Sequence, residues 1–160
     1  MLEGVTWPLA HNVIRRRLSN HTFGMVRKNA DGTLRPHQGW DFEAPVGTPA
    51  HAVADGSIAF VRDRGDYGLQ LCLAFKVGQA TRYAFYAHLQ HVFVKEGDNV
   101  KMNDLLCKTG ESGNAKGMPL ADQHLHFELR TAAQPRLGLL DRVSPLTIFG
   151  TCPLSEAIAG

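Results

Sequence analysis

His37 and Asp41 lie four residues apart in Pro36-His37-Gln38-Gly39-Trp40-Asp41-Phe42, with Gly39 between them. Imidazole and carboxylate both ligate zinc, and a bent, glycine-containing segment lets two such side chains converge on one ion. A second cluster, Gln123-His124-Leu125-His126-Phe127-Glu128-Leu129-Arg130, alternates polar and apolar residues. Alternate side chains of a strand share a face, so His124, His126 and Glu128 point one way while Leu125, Phe127 and Leu129 form a core face. The two imidazoles then stand about 7 Å apart, at a rise near 3.3 Å per residue. In a third segment, Tyr83-Ala84-Phe85-Tyr86-Ala87-His88-Leu89, the same parity turns Phe85, Ala87 and Leu89 to the core and Tyr86 and His88 to the other side.

Each cluster alone has a plainer reading: a surface His–Asp pair, a solvated strand face, a strand-end histidine. Together they supply four histidines and one carboxylate. A catalytic zinc takes three protein ligands and keeps a fourth position for water, which leaves two histidines beside the metal. There is no His-Glu-x-x-His, so the helical zinc site with a Glu base is absent. A hydrolase built from these parts draws its acid, base and oxyanion groups from histidine.

The elements that must position these clusters read as β structure. Turn signals recur at Asp31-Gly32, Pro45-Val46-Gly47, Asp55-Gly56, Arg64-Gly65-Asp66, Lys76-Val77-Gly78, Gly97-Asp98 and Gly110 to Gly113. Between them lie candidate strands at Ala50–Val53, Ser57–Arg62, Leu69–Phe75, Arg82–His88, His91–Lys95, Leu105–Thr109 and His124–Arg130. The spacing predicts a mainly β, antiparallel sandwich or partly open barrel. Thr6 to Ser19 reads as a short amphipathic helix with Thr6 as N-cap and Pro8 in its first turn. After Arg130, Pro135, Gly138, Pro145, Gly150 and Pro153 mark a loop-rich tail.

With 160 residues, 44% apolar and 20% charged, the chain has the length of one domain able to bury its own core. A net charge of +2 argues against nucleic acid as a partner. Eight histidines are a compositional excess; His11, His21, His51 and His91 have no motif around them and read as background. Cys72, Cys107 and Cys152 form no C-x-x-C pair, which argues against a sulfur zinc site or a redox motif. No apolar run approaches the roughly 18 residues of a membrane span. Glu3, His11 and Arg15 to Arg17 interrupt any leader-like stretch, which predicts a cytosolic protein, a mature form, or export without a cleaved leader.

From about Phe23-Gly24 to Pro145 the sequence resembles the lysostaphin/LytM-type zinc endopeptidases, the twenty-third metallopeptidase family. The anchors are His37 to Phe42, Ala44-Pro45-Val46-Gly47-Thr48-Pro49, Ala54-Asp55-Gly56, Tyr86-Ala87-His88-Leu89, Val94 to Val100, and His124-Leu125-His126-Phe127-Glu128. The resemblance implies one Zn²⁺ held by His37, Asp41 and His126. It implies His88 and His124 as catalytic groups flanking the water that the zinc activates, one as base and the other stabilising the oxyanion. Tyr86 and Glu128 are candidate supports of these groups. The implied organisation is an N-terminal extension (1–22), a zinc peptidase domain (23–147) and a C-terminal tail (148–160).

The implied fold is a two-layer antiparallel β structure with the site in a groove on a central sheet. The implied activity is hydrolysis of peptide cross-links in bacterial peptidoglycan, in the periplasm or cell wall. An antibacterial toxin or lysin role, with an immunity or inhibitor protein as partner, is a further expectation. Relatives that have lost their ligands supply the alternative, an inactive wall-binding or hydrolase-activating module. A third reading, a carrier domain modified at Lys101, leaves the histidine clusters unexplained. The stretch Ser112 to Gln123 is longer than the family's usual turn before the His-x-His strand and is expected to border the groove.

Overall fold

The computed structural model describes residues 1–160. In chain order its strands are β1 (His11–Asn12), β2 (Gly24–Lys28), β3 (Leu34–His37), β4 (Trp40–Glu43), β5 (Pro49–His51), β6 (Gly56–Arg64) and β7 (Gly68–Val77). They continue as β8 (Ala80–Ala87), β9 (Leu89–Val92), β10 (Asn99–Val100), β11 (Leu105–Thr109), β12 (His124–Arg130) and β13 (Arg142–Val143). One helical turn, α1 (Leu146–Phe149), and a last strand, β14 (Ile158–Ala159), close the chain. No helix is long and apolar enough to cross a membrane.

The main sheet runs β10-β6-β7-β8-β12-β13, with β4 also paired to β12, and all its pairings are antiparallel. A three-stranded sheet, β5-β11-β9, forms the second layer. One cluster of buried side chains fills the space between them, with Leu71, Tyr86, Leu125, Phe127 and Leu129 from the large sheet and Ala50, Leu89, Leu106 and Cys107 from the small one. β12 is the strand on which the architecture turns. Its seven residues are all buried, with β8 along one edge and β4 followed by β13 along the other. All three cysteines are free thiols.

Two expectations fail locally. Thr6 to Ser19 is not a helix: it contains β1 and short 3₁₀ turns at Arg15–Arg17 and Ser19–His21. Val5, Trp7 and Leu9 are buried at a spacing of two, the period of extended chain. The Thr6 N–H is donated to Val53, and the Pro8 carbonyl accepts from His51, so the backbone is spent on neighbours rather than on its own turns. The segment packs on the rest of the chain: Trp7 stacks on Phe149 of α1 with ring centres 4.3 Å apart, and β1 pairs with β14.

The parity of β8 is also reversed. Ala87 stands opposite His126 and Phe85 opposite Glu128, so these two share the polar face of β12. Tyr86 lies against Phe127 in the main core and donates its hydroxyl to the His51 carbonyl. Phe85 and Tyr86 are both fully buried, and a strand covered on both faces carries no hydropathy signal saying which face is which.

Gly39 makes the turn from β3 to β4 possible. A Cβ there would lie 2.1 Å from the Phe127 carbonyl oxygen and 2.9 Å from Glu128 Cγ. Gly39→Ala is therefore expected to separate β4 from β12 and to cost about 1–3 kcal/mol of stability. A drop in denaturant midpoint at unchanged m-value checks this; an unchanged midpoint contradicts it.

Candidate functional site

β12 presents His124, His126 and Glu128 on the face away from the main core. β4 is paired so that Asp41 stands opposite His126, and the Gly39 turn brings His37 back over both. His37 Nε2 lies 3.2 Å and His126 Nδ1 2.9 Å from Asp41 Oδ1. Each of the three residues offers one ligand atom, and these atoms lie within 4.8 Å of one another. A tetrahedral zinc with arms of about 2.0–2.1 Å holds its donors about 3.3 Å apart, and the two sides that meet at Asp41, 3.2 and 2.9 Å, match that spacing to a few tenths of an ångström.

The hydrogen bonds behind the donors decide which ring nitrogen is free. A carbonyl oxygen only accepts, so the 2.8 Å contact between His37 Nδ1 and the Thr22 carbonyl puts the proton on Nδ1 and leaves Nε2 facing Asp41. His126 does the reverse: Nε2–H is donated to Glu128 Oε2 at 2.7 Å, and Nδ1 faces the triangle. Asp41 divides its oxygens in the same way. Oδ1 belongs to the triangle, while Oδ2 takes His21 Nδ1 at 3.2 Å and Arg27 Nη2 at 3.1 Å.

His88 and His124 stand beside this triangle with ring centres 5.2 Å apart, and His124 Nε2 is 3.8 Å from Asp41 Oδ1. Both give Nδ1–H to backbone carbonyls, His88 to Ser112 at 2.9 Å and His124 to Asp122 at 2.8 Å. Each therefore keeps an unprotonated Nε2. His88 reaches the site because its φ is 59°, a left-handed conformation that breaks the alternation of β8. A groove of about 360 Å³ runs over the five residues, walled by Arg15, Arg27, Tyr67, Asn114 and Met118.

Burial sets the protonation of the site. It pushes the His88 imidazole down to about 4, helped by the neighbouring His126 and His124, and it also lowers His37 and His124. For His126, burial is outweighed by its bonds to Asp41 and Glu128, which raise it to about 9. An imidazole clamped between two carboxylates holds a proton on Nδ1, in the place where a divalent cation would face Asp41. Asp41 lies well below its ordinary range because bonds from His126, His21 and His37 overcome its burial. Glu128 is lowered likewise, by His126, Arg130 and Arg142.

The profile of peptidase family M23 matches residues 35–136. The chain belongs to peptidase family M23. It is 33% identical over 114 residues to the peptidoglycan DD-endopeptidase ShyB of Vibrio cholerae, covering 71% of this chain and 25% of that protein. The crystal structure of a zinc-containing peptidase from Vibrio cholerae superposes with a TM-score of 0.63 at 26% identity, covering 88% of this chain and 39% of that one. The catalytic domain of lysostaphin from Staphylococcus simulans shares the fold, with a TM-score of 0.60 at 24% identity over 81% of this chain and 90% of that one. The chain spans about a quarter of the length of the curated relatives it matches.

Sequence reasoning missed four contributors to this M23 site. His21, read as background, is buried against Asp41. Arg27 comes from β2, and both residues precede the family match. Tyr67, in the β6–β7 turn, stacks on His126 with ring centres 5.5 Å apart and donates its hydroxyl to Glu128 at 2.6 Å. Arg142 reaches Glu128 from β13 at 2.7 Å. None has a spacing signal, because each arrives from a remote strand or turn. Tyr86, expected beside the site, lies on the opposite face. Glu128 is where the alternation placed it, and Ser112 to Gln123 borders the groove as expected through Asn114 and Met118.

Two outcomes follow from this geometry. Glu128→Ala leaves Arg130 and Arg142 buried without their counter-charge and is expected to cost about 3–5 kcal/mol, read by chemical unfolding. At position 88 a side chain in left-handed backbone costs about 1 kcal/mol that glycine does not, so His88→Gly should be more stable than His88→Ala by that amount. Equal stabilities of the two variants would show the backbone at 88 to be unstrained.

Proposed function

We propose that this M23 domain is a zinc-dependent endopeptidase that hydrolyses peptide cross-links of peptidoglycan, acting in the periplasm or cell wall. The observation that carries the reading is the pair of unprotonated imidazole nitrogens, on His88 and His124, beside a His–Asp–His donor triangle. His37 Nε2, Asp41 Oδ1 and His126 Nδ1 would hold the ion. A zinc ion so bound supplies a Lewis acid that polarises a carbonyl and acidifies a water.

The chain's own groups do the rest. One of His88 and His124 accepts a proton from the attacking water at Nε2, which their lowered pKa values keep free near neutral pH. The proton taken up there can pass to the leaving amine, and the other imidazole would hydrogen-bond the developing oxyanion after taking a proton at Nε2 from solvent. The Ser112 and Asp122 carbonyls hold both rings in the required tautomer. Glu128 does the same for His126, and Tyr67, Arg130 and Arg142 keep Glu128 ionised. The name of the relative ShyB supports peptidoglycan as the substrate. An inactive wall-binding module would not need the complete donor set with both flanking imidazoles, and all five residues are present.

Purified peptidoglycan digested with and without a chelator, with fragments analysed by mass, tests the activity. His126→Ala is expected to lose both zinc and turnover. His124→Ala should retain one equivalent of zinc and lose about 10²–10⁴-fold in rate, the contribution of a positioned proton-transfer group. Undiminished turnover in His124→Ala would overturn the mechanism.

A further inference from the structure

Tyr67 separates the metal-site groove from a second pocket of about 370 Å³, lined by Arg62, Arg64, Arg130 and Arg142 with Gln70 and Gln134. Asp66 and Tyr67 belong to both walls. On one side Tyr67 stacks on His126, and on the other the Arg130 guanidinium lies 5.9 Å from its ring centre. With His126 5.5 Å and the Arg130 guanidinium 5.9 Å from the Tyr67 ring centre on opposite sides, the arginines begin about 11 Å from His126, a span of about three residues of extended peptide.

The charges in this pocket do not balance. Glu128 is the only carboxylate beneath it, and Arg130, Arg142 and His126 already share it. Arg62 bonds only neutral amides, Gln134 at 2.8 Å and Gln70 at 3.3 Å, and forms no ion pair. Arg64 is exposed at the end of β6 and also forms none. Asp66 is the one acid on the rim, against two uncompensated cations. Burial, and then the adjacent Arg64 and Arg130 charges, press Arg62 below its ordinary pKa. Guanidinium forks with free donors, next to an aromatic wall and short of counter-charge, are suited to a planar anion bound in bidentate fashion.

We propose that the arginine pocket behind Tyr67 binds a carboxylate of the peptide substrate, so that the protein selects peptides carrying a free carboxylate within about three residues of the bond it cuts. The inference rests on the peptidase reading of the adjoining groove, since that reading makes the ligand a peptide rather than a phosphate ester. Arg64 and Arg62 supply the charge. Arg130 and Arg142 are committed to Glu128 and set the pocket's floor.

The test is calorimetric titration of the zinc-loaded full chain with the tetrapeptide L-Ala-γ-D-Glu-L-Lys-D-Ala. The peptide is used as the free acid, with each carboxylate amidated in turn, and with both amidated; recovered peptide is checked by mass for cleavage. The free acid is expected to bind about tenfold more tightly than the double amide, as charge-assisted bonds exceed neutral ones. That preference should shrink toward unity in Arg64→Ala and in Arg62→Gln, and the single amides identify which carboxylate is read. Millimolar inorganic phosphate should leave the preference in place; its loss to phosphate would overturn the peptide assignment. Equal binding of acid and amide, no binding of either, or a preference unchanged in both variants would overturn the pocket. Because the readout is binding, failure to hydrolyse peptidoglycan would count against the peptidase reading alone.

Discussion

Glu128 carries a negative charge on a strand covered on both faces, and four donors converge on it: His126, Tyr67, Arg130 and Arg142. A buried carboxylate with fewer partners would be neutralised or would unfold the strand. Once the charge is compensated in this way, much of the site is determined. The His126 ring has only one nitrogen left to offer, and Tyr67 is held flat against that ring. β13, which follows the family match, is bound to the polar face of β12 through Arg142. One interaction thus couples a turn, a central strand and the C-terminal region.

Asp41 plays the complementary part on β4. It too is buried, and its two oxygens serve different partners. His21 and Arg27 take Oδ2, which leaves Oδ1 turned toward His37 and His126. Both outer partners lie ahead of residues 35–136, so the matched segment alone does not supply all the hydrogen bonds that Asp41 accepts in this chain. The N-terminal segment can do so because Val5, Trp7, Leu9 and Ile14 are part of the same hydrophobic core as β12. Packing far from the His–Asp–His triangle therefore sets the orientation of Asp41.

Strain and close approach are concentrated around the same groove. His88 is forced into left-handed backbone, and the β6–β7 turn is pressed on the loop that follows β11. Gly68 and Gly113 allow that approach: a Cβ at Gly68 would lie 2.4 Å from the Gly113 nitrogen, and one at Gly113 would lie 2.2 Å from the Asp66 carbonyl. The contact brings Tyr67 and Ser112 together, one under His126 and the other holding His88. It also leaves the opposite side of Tyr67 open to the arginine pocket, so one turn shapes both cavities.

What the sequence shows of this arrangement depends on the range of each signal. The strands of the large sheet, the His37–Asp41 spacing and the alternation His124-His126-Glu128 are local patterns, and period and turn chemistry expose them in a single chain. Resemblance to known motifs joined His88 to that set. The face taken by Tyr86 and Phe85 was not legible, because both residues are equally apolar and equally buried. The N-terminal segment has a helix-like local pattern, but docking on Val53, His51 and Phe149 makes it extended. His21, Arg27, Tyr67 and Arg142 act through contacts between residues distant in sequence, where no spacing rule applies. Local spacing alone shows which titratable side chains are grouped and which strands carry them. The tertiary structure decided which nitrogen and which oxygen each residue presents, because that depends on hydrogen bonds that form only when remote strands meet.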